Sequence, residues 1–152
     1  MDRRRPRKPP VRPLVLVVDS HEDTRQLYTL ALPPLGFDVI PAADVADAYT
    51  QAWGSRPDLI VTEVAMRDPD GWQLVHDLKR NPRTHDIPVV VVTSDGQPPV
   101  RERAAREGCV GFFAKPCLPD DLAIALRQLL MTHAADESGL HHHLGIEWRL
   151  TD

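Results

Sequence analysis

The chain has 152 residues, 42% apolar and 26% charged, with a net charge of −4. This length suits one ordinary domain that buries about two-thirds of its unfolded surface, and the composition is that of a soluble globular protein. No apolar run approaches the ~20 residues of a membrane helix, and the charged N-terminus lacks the apolar stretch of a secretory signal, so a cytoplasmic protein with no membrane partner is expected.

Residues 1–12 carry six bases, Arg3, Arg4, Arg5, Arg7, Lys8 and Arg12, against Asp2 alone; this net +5 leaves −9 on the remainder. Pro6, Pro9 and Pro10 oppose helix and sheet there, so the segment reads as a disordered basic arm. Such an arm can touch nucleic acid or an acidic partner, although a solvated tail is the plainer reading. The acidic body argues against a nucleic-acid platform.

From residue 13 to 132, short apolar runs alternate with stretches of helical spacing. A strand over Leu14–Val18 is followed by a helix over 22–32, which Pro33-Pro34 should stop because the residue before a proline avoids the helical region. A strand over Phe37–Ile40 precedes a helix over Val45–Trp53, with Gly54 as its end signal. Leu59–Thr62 is the third strand, and a third helix starts after Asp70-Gly71 with Leu74, Val75 and Leu78 on one face. Val89–Thr93 comes next, then a helix from Pro98 or Pro99 to Gly108. The last pair is a strand over Val110–Phe113 and a helix over Pro119–Met131, striped by Leu122, Leu126, Leu129 and Leu130. Residues 133–152 lack a clear period and read as a tail, with a short strand or helix near Ile146–Leu150.

Four of the five runs are apolar almost throughout, as parallel strands covered on both faces require. Five βα units in series specify an α/β fold, a doubly wound five-stranded parallel sheet with right-handed crossovers. Periodicity alone leaves the strand order open. Cys109 and Cys117 form no CxxC pair and are read as reduced thiols.

The strand ends carry a resemblance. VLVVDSHEDTR, DLIVTEVAMRDPDGW, IPVVVVTSDG and GFFAKP resemble, in order, the four signature segments of response-regulator receiver domains of two-component signalling, over about residues 13–132. The resemblance implies the flavodoxin-like, CheY-like strand order 2-1-3-4-5, with a crevice between the carboxyl ends of the first and third strands. In the family that crevice holds two acids after the first strand, a phosphoacceptor Asp after the third, a Thr or Ser after the fourth and a Lys after the fifth. The carboxylates bind Mg²⁺, and metal and Lys neutralise the phosphoryl group. Asp19, Thr93 and Lys115 match.

Two positions depart from the pattern: Ser20 stands for the second acid and Glu63 for the phosphoacceptor. The extra methylene of Glu63 misaligns a nucleophile, and a shift of about 1 Å can cost on the order of 100-fold. It also carries the charge towards Lys115, where a standing ion pair would either imitate the phosphorylated arrangement or be vestigial; both readings stay open. Ser20-His21-Glu22-Asp23 has the form of a capping box, which needs no metal. With one carboxylate lost, Asp19 and Glu63, helped at most by Glu22, should bind Mg²⁺ weakly or not at all, and no other cofactor is expected.

Thr93 and Phe112 resemble the family's switch pair, in which the ring turns inward when the hydroxyl binds the phosphoryl group; core packing explains Phe112 equally well. Lys115-Pro116 resembles the family's Lys-Pro step, which implies a cis bond. Asp19-x-His21 resembles the first half of a cobalamin-binding motif, but Thr24 occupies the position of its glycine. His141, His142 and His143, near Asp136 and Glu137, are adjacent in sequence and cannot easily all face one ion.

The reading that follows is an atypical, non-enzymatic receiver module acting through a protein partner, a histidine kinase or other signalling protein. Binding is expected on the face of the fourth helix, fifth strand and fifth helix, edged by Arg101, Arg103 and Arg106. With no room for an output domain after residue 132, output should pass through another chain, and a homodimer is left open. A working phosphotransfer receiver and a nucleic-acid-tethered regulator are the alternatives.

Overall fold

The computed structural model describes residues 12–67 and 69–137. In chain order the elements are β1 (Leu14–Val18), α1 (Glu22–Ala31), β2 (Asp38–Ala42), α2 (Val45–Ser55), β3 (Leu59–Thr62), α3 (Gly71–Arg80), β4 (Val89–Thr93), α4 (Pro98–Arg106), β5 (Gly111–Ala114) and α5 (Pro119–Glu137). The basic arm before Arg12 and the tail from residue 138, with His141–His143, lie outside the described residues.

All five strands are parallel, in the order β2-β1-β3-β4-β5. Side chains alternate across the sheet, so each strand feeds two cores. Val15, Val17, Leu59 and Val90 pack under α1 and α5, while Leu16, Ile60, Val89 and Val91 pack under α2, α3 and α4. The division follows from right-handed crossovers: the chain moves one way from β1 to β2 and the other way from β3 to β5, so the covering helices change face. Where that direction reverses, β1 and β3 part at their carboxyl ends and leave a crevice.

Several boundaries differ from those the sequence suggests. Leu32, although it precedes a proline, stays in the right-handed helical region, and the chain continues into a 3₁₀ turn over Pro33–Leu35 that Gly36 closes at φ 107°. Two prolines at the start of that turn lose no hydrogen bond, because those N–H groups would have no partner there anyway. Strand β2 runs through Pro41 to Ala42, which its edge position permits. Helix α2 passes Gly54 and is closed by Arg56 in the left-handed region at φ 48°. Helix α5 runs on to Glu137, past the end of its apolar stripe.

Arg12, the last residue of the basic arm, is anchored. Its guanidinium donates to Asp38 Oδ1 at 3.1 Å and to the carbonyls of Pro33 and Phe37 at 3.2 and 3.1 Å. Among the described residues both cysteines are free thiols; burial pushes Cys109 up to about 12 and, with the nearby Asp121 charge, Cys117 up to about 11. No helix among the described residues is long and apolar enough to cross a membrane.

Gly71 opens α3 directly against the end of β3. A Cβ there would meet the Glu63 carbonyl oxygen and come within 2.6 Å of Val64 Cα, both backbone atoms that cannot swing aside. Gly71→Ala should therefore destabilise the fold by about 1–3 kcal/mol, the usual cost of overpacking, read as a lower urea midpoint at unchanged slope.

Candidate functional site

Four strand ends, those of β1, β3, β4 and β5, meet at the crevice, and ladder hydrogen bonds fix where they stop. The Asp19 N–H donates to the Ala42 carbonyl at 3.1 Å, the Glu63 N–H to Val18 at 3.0 Å and the Lys115 N–H to Thr93 at 2.8 Å. These bonds bring Asp19, Glu63, Thr93 and Lys115 together at the carboxyl edge, as the strand order requires. Asp19 and Glu63 are 3% and 4% exposed, so two carboxylates are held almost out of water.

Lys115 answers both. Its Nζ donates to Asp19 Oδ2 at 2.8 Å and lies 3.0 Å from Glu63 Oε1. The remaining acceptor capacity is taken up by main-chain donors. Glu63 Oε2 accepts from the N–H groups of Val64 and Ala65, both at 2.8 Å, and Oε1 accepts from the Ser94 N–H at 3.2 Å. Asp19 Oδ1 accepts from the His21 N–H at 2.9 Å. Among the described residues no buried side-chain polar atom is left without a partner.

The electrostatics follow from this donor set. Burial pushes the Glu63 carboxyl up, but hydrogen bonds from the Thr93 hydroxyl, the Ala65 N–H and Lys115, with the Lys115 charge, outweigh it and hold the carboxyl below its ordinary value. Burial alone would lower Lys115, yet its bonds to Asp19 and Glu63 and their charges raise it. Each group thus holds the other in its charged form.

Ser20 is exposed and is not the helix cap. The N-cap of α1 is His21, with no side-chain cap bond, and Asp19 Oδ1 turns the chain into the helix instead. The helix starts one residue later than a Ser20 cap would place it, and the Asp19 carboxylate takes the His21 N–H. Arg25 closes the turn from the other side, donating to the Asp19 carbonyl at 2.8 Å. Phe112 is 1% exposed and points inward, with the Arg101 guanidinium 5.3 Å from its ring centre. The Lys115-Pro116 bond is cis.

Mg²⁺ takes oxygen ligands in near-octahedral array; in this arrangement the Lys115 ammonium lies between the two carboxylates, bonded to Asp19 Oδ2 and 3.0 Å from Glu63 Oε1. Glu22 is exposed in the first turn of α1. Among the described residues no three His, Cys, Asp or Glu side chains gather as a metal site.

The three arginines of α4 do not form one edge. Arg103 lies 4.6 Å over the Trp72 ring and 3.5 Å from Glu107, on the α3 side, whereas Arg101 turns to Phe112 of β5. Two residues apart on a helix, they project to opposite sides. The sequence also hides the main-chain donors of Val64, Ala65 and Ser94, because any residue type supplies an N–H; the family's segment order is the one signal that points to them.

Comparison with known proteins agrees with this geometry. The pattern of the response regulator receiver domain matches residues 15–127, and the chain belongs to that family. It is 28% identical over 138 residues to the cyclic di-GMP phosphodiesterase response regulator RpfG of Xanthomonas campestris, covering 90% of this chain and 36% of that protein. It is 30% identical over 116 residues to the phosphate regulon transcriptional regulatory protein PhoB of Escherichia coli, covering 76% of this chain and 51% of that one. The chain thus spans about half or less of the length of these relatives. Among solved structures, the chemotaxis response regulator CheY4 of Vibrio cholerae superposes with a TM-score of 0.72 at 26% identity, covering 78% of this chain and 98% of that one.

Lys115→Met would leave two buried carboxylates facing each other, and a loss of about 3–5 kcal/mol is expected from chemical denaturation. Because the folded Glu63 carboxyl sits below its ordinary value, it stabilises the fold above that value, and the contribution fades as pH falls through the folded pKa. Glu63→Gln should accordingly flatten the acid side of the stability profile, measured as urea midpoint against pH; an unchanged acid limb would contradict the assignment.

Proposed function

We propose that this receiver domain is a phosphorylation-independent interaction module, in which the Glu63 carboxylate permanently occupies the place the family gives to a phosphoryl group. The observation that carries this reading is the set of donors on one side chain. The Ala65 N–H, Ser94 N–H, Thr93 hydroxyl and Lys115 ammonium converge on Glu63 from the ends of three strands. A transferred phosphoryl group would need these same donors, and they are engaged. The substitution is partial, since one charge and two oxygens stand in for nearly two charges and three oxygens.

The inward Phe112 agrees with the same reading, in which the family couples an inward ring to an occupied site, as it also agrees with plain core packing. With Thr93 held on Glu63 and Phe112 buried, α4 and β5 present one fixed surface rather than two alternating ones. The module then acts by binding, without a catalytic residue and with little or no affinity for Mg²⁺. Its partner is a protein, a histidine kinase or another signalling chain, docking on the α4-β5-α5 face inside the cell. Phosphotransfer would need Glu63 to release donors it holds and to react from a carboxylate one methylene further out than the family's aspartate. Nucleic-acid tethering would act through the basic arm, which lies outside the described residues.

Titration with Mg²⁺ and beryllofluoride, followed by amide NMR, should leave Glu63, Thr93 and Phe112 unshifted at millimolar metal. Shifts spreading from Glu63 to Phe112, or a hydroxylamine-labile label after incubation with a small phosphodonor, would restore phosphotransfer as the function. Once a partner is in hand, Glu63→Gln should weaken its binding about tenfold or more, since a charge-assisted bond contributes about 1.5–3 kcal/mol. Unchanged binding would leave Glu63 a vestigial ion pair.

A further inference from the structure

Asp19 and Lys115 meet in the crevice from strands that are not neighbours, since β3 and β4 lie between β1 and β5. At a strand spacing of about 4.8 Å, β1 and β5 are about 14 Å apart. No ladder bond therefore sets the distance between the main chains that carry these two side chains. The Lys115 N–H makes the last ladder bond after β5, to Thr93. The turn that follows runs through Pro116, Cys117 and Leu118 to Pro119, the first residue of α5. Pro116 and Pro119 have no N–H to donate.

Helix α1 ties this turn to β1. Tyr28 is 2% exposed, and its hydroxyl donates to the Cys117 carbonyl at 2.6 Å. One turn earlier on the same stripe, Arg25 donates to the Asp19 carbonyl at 2.8 Å. A single helix thus holds the main chain on both sides of the ion pair, at Asp19 itself and two residues past Lys115. Burial, Cys117 and the Asp19 charge push the phenol up, so the hydroxyl keeps its proton and stays a donor. The ring packs in the core with Leu32, Phe37 and Leu122. A phenylalanine would fill that space equally well, so packing leaves the hydroxyl unexplained.

We propose that Tyr28 is the positioning residue for Lys115: through the Cys117 carbonyl, its hydroxyl holds the turn after β5 where one ammonium reaches both Asp19 and Glu63. The tolerance is narrow. The ammonium lies 2.8 Å from Asp19 Oδ2 and 3.0 Å from Glu63 Oε1, and hydrogen bonds weaken outside that range. The flexible four-carbon stem of lysine does not define such a position alone, whereas a turn fixed at its root does. The inference rests on the reading above in one respect, that it takes the Glu63–Lys115 pair as the working site.

Tyr28→Phe tests it, with NMR of the Lys115 ammonium and of the Glu63 side-chain carboxyl carbon at neutral pH. Both signals should move. The ammonium protons should also exchange with water roughly fivefold faster, the factor that corresponds to one ordinary hydrogen bond. Val75→Ala in the opposite core lowers stability without touching the turn, and should leave signals and exchange as they are in the parent. An exchange rate unchanged in Tyr28→Phe would overturn the proposal, and so would an equal change in both variants. Neither readout involves a partner or a phosphodonor, so this inference and the proposed function can fail separately.

Discussion

The site depends on one ammonium placed between two buried carboxylates. Without Lys115, Asp19 and Glu63 would face each other across the crevice almost out of water, and one of them would have to take up a proton. With it, and with the Thr93 hydroxyl and main-chain N–H groups aimed at the same oxygens, four N–H groups in all, the Glu63 carboxyl is held below its ordinary value. Such an arrangement adds little net stability, because removing three charges from water costs about what their attraction returns. What it fixes is geometry: the ends of β1, β3 and β5 are held in one relative position, and β4 joins them through Thr93 and Ser94.

The sheet makes that placement unavoidable once strand order is set. Parallel strands deliver all their carboxyl ends to one edge, and the reversal of winding between β1 and β3 opens the crevice at that edge. Helices on both faces bury β1, β3 and β4, which is why β3 and β4 can be apolar almost to their last residues and then end abruptly in polar ones. The position of Glu63 thus follows from the hydrophobic pattern, and its chemistry from the loops that follow each strand.

Much of this was legible in the sequence. The bounds of β1, β3 and β4 coincide with uninterrupted apolar runs, and the four site side chains fall at strand ends because the family's segments occur in order. The differences between sequence pattern and structure share a cause: tertiary contacts override local rules. Pro41 breaks a central strand but is harmless at an edge. Gly54 is an available stop, yet α2 continues to Ser55 and turns at Arg56. Ser20 is a suitable cap by residue type, but the helix starts one residue further on, with His21 as its N-cap. The main-chain donors around Glu63 could not be read at all, since residue type does not encode where an amide points. The arginines of α4 looked like one edge because sequence proximity conceals a turn of about 100° per residue.

The difference between a carboxylate and an acyl phosphate is also a difference in time. A phosphorylated aspartate is a mixed anhydride that water eventually cleaves, so an ordinary receiver carries its own clock and forgets its signal. The carbon–carbon bonds that hold the Glu63 charge in place do not hydrolyse. On the reading proposed here, the chain has no lifetime of activation to tune. Its influence on a partner is then set by how many copies are present relative to the dissociation constant, which makes synthesis and degradation its means of control.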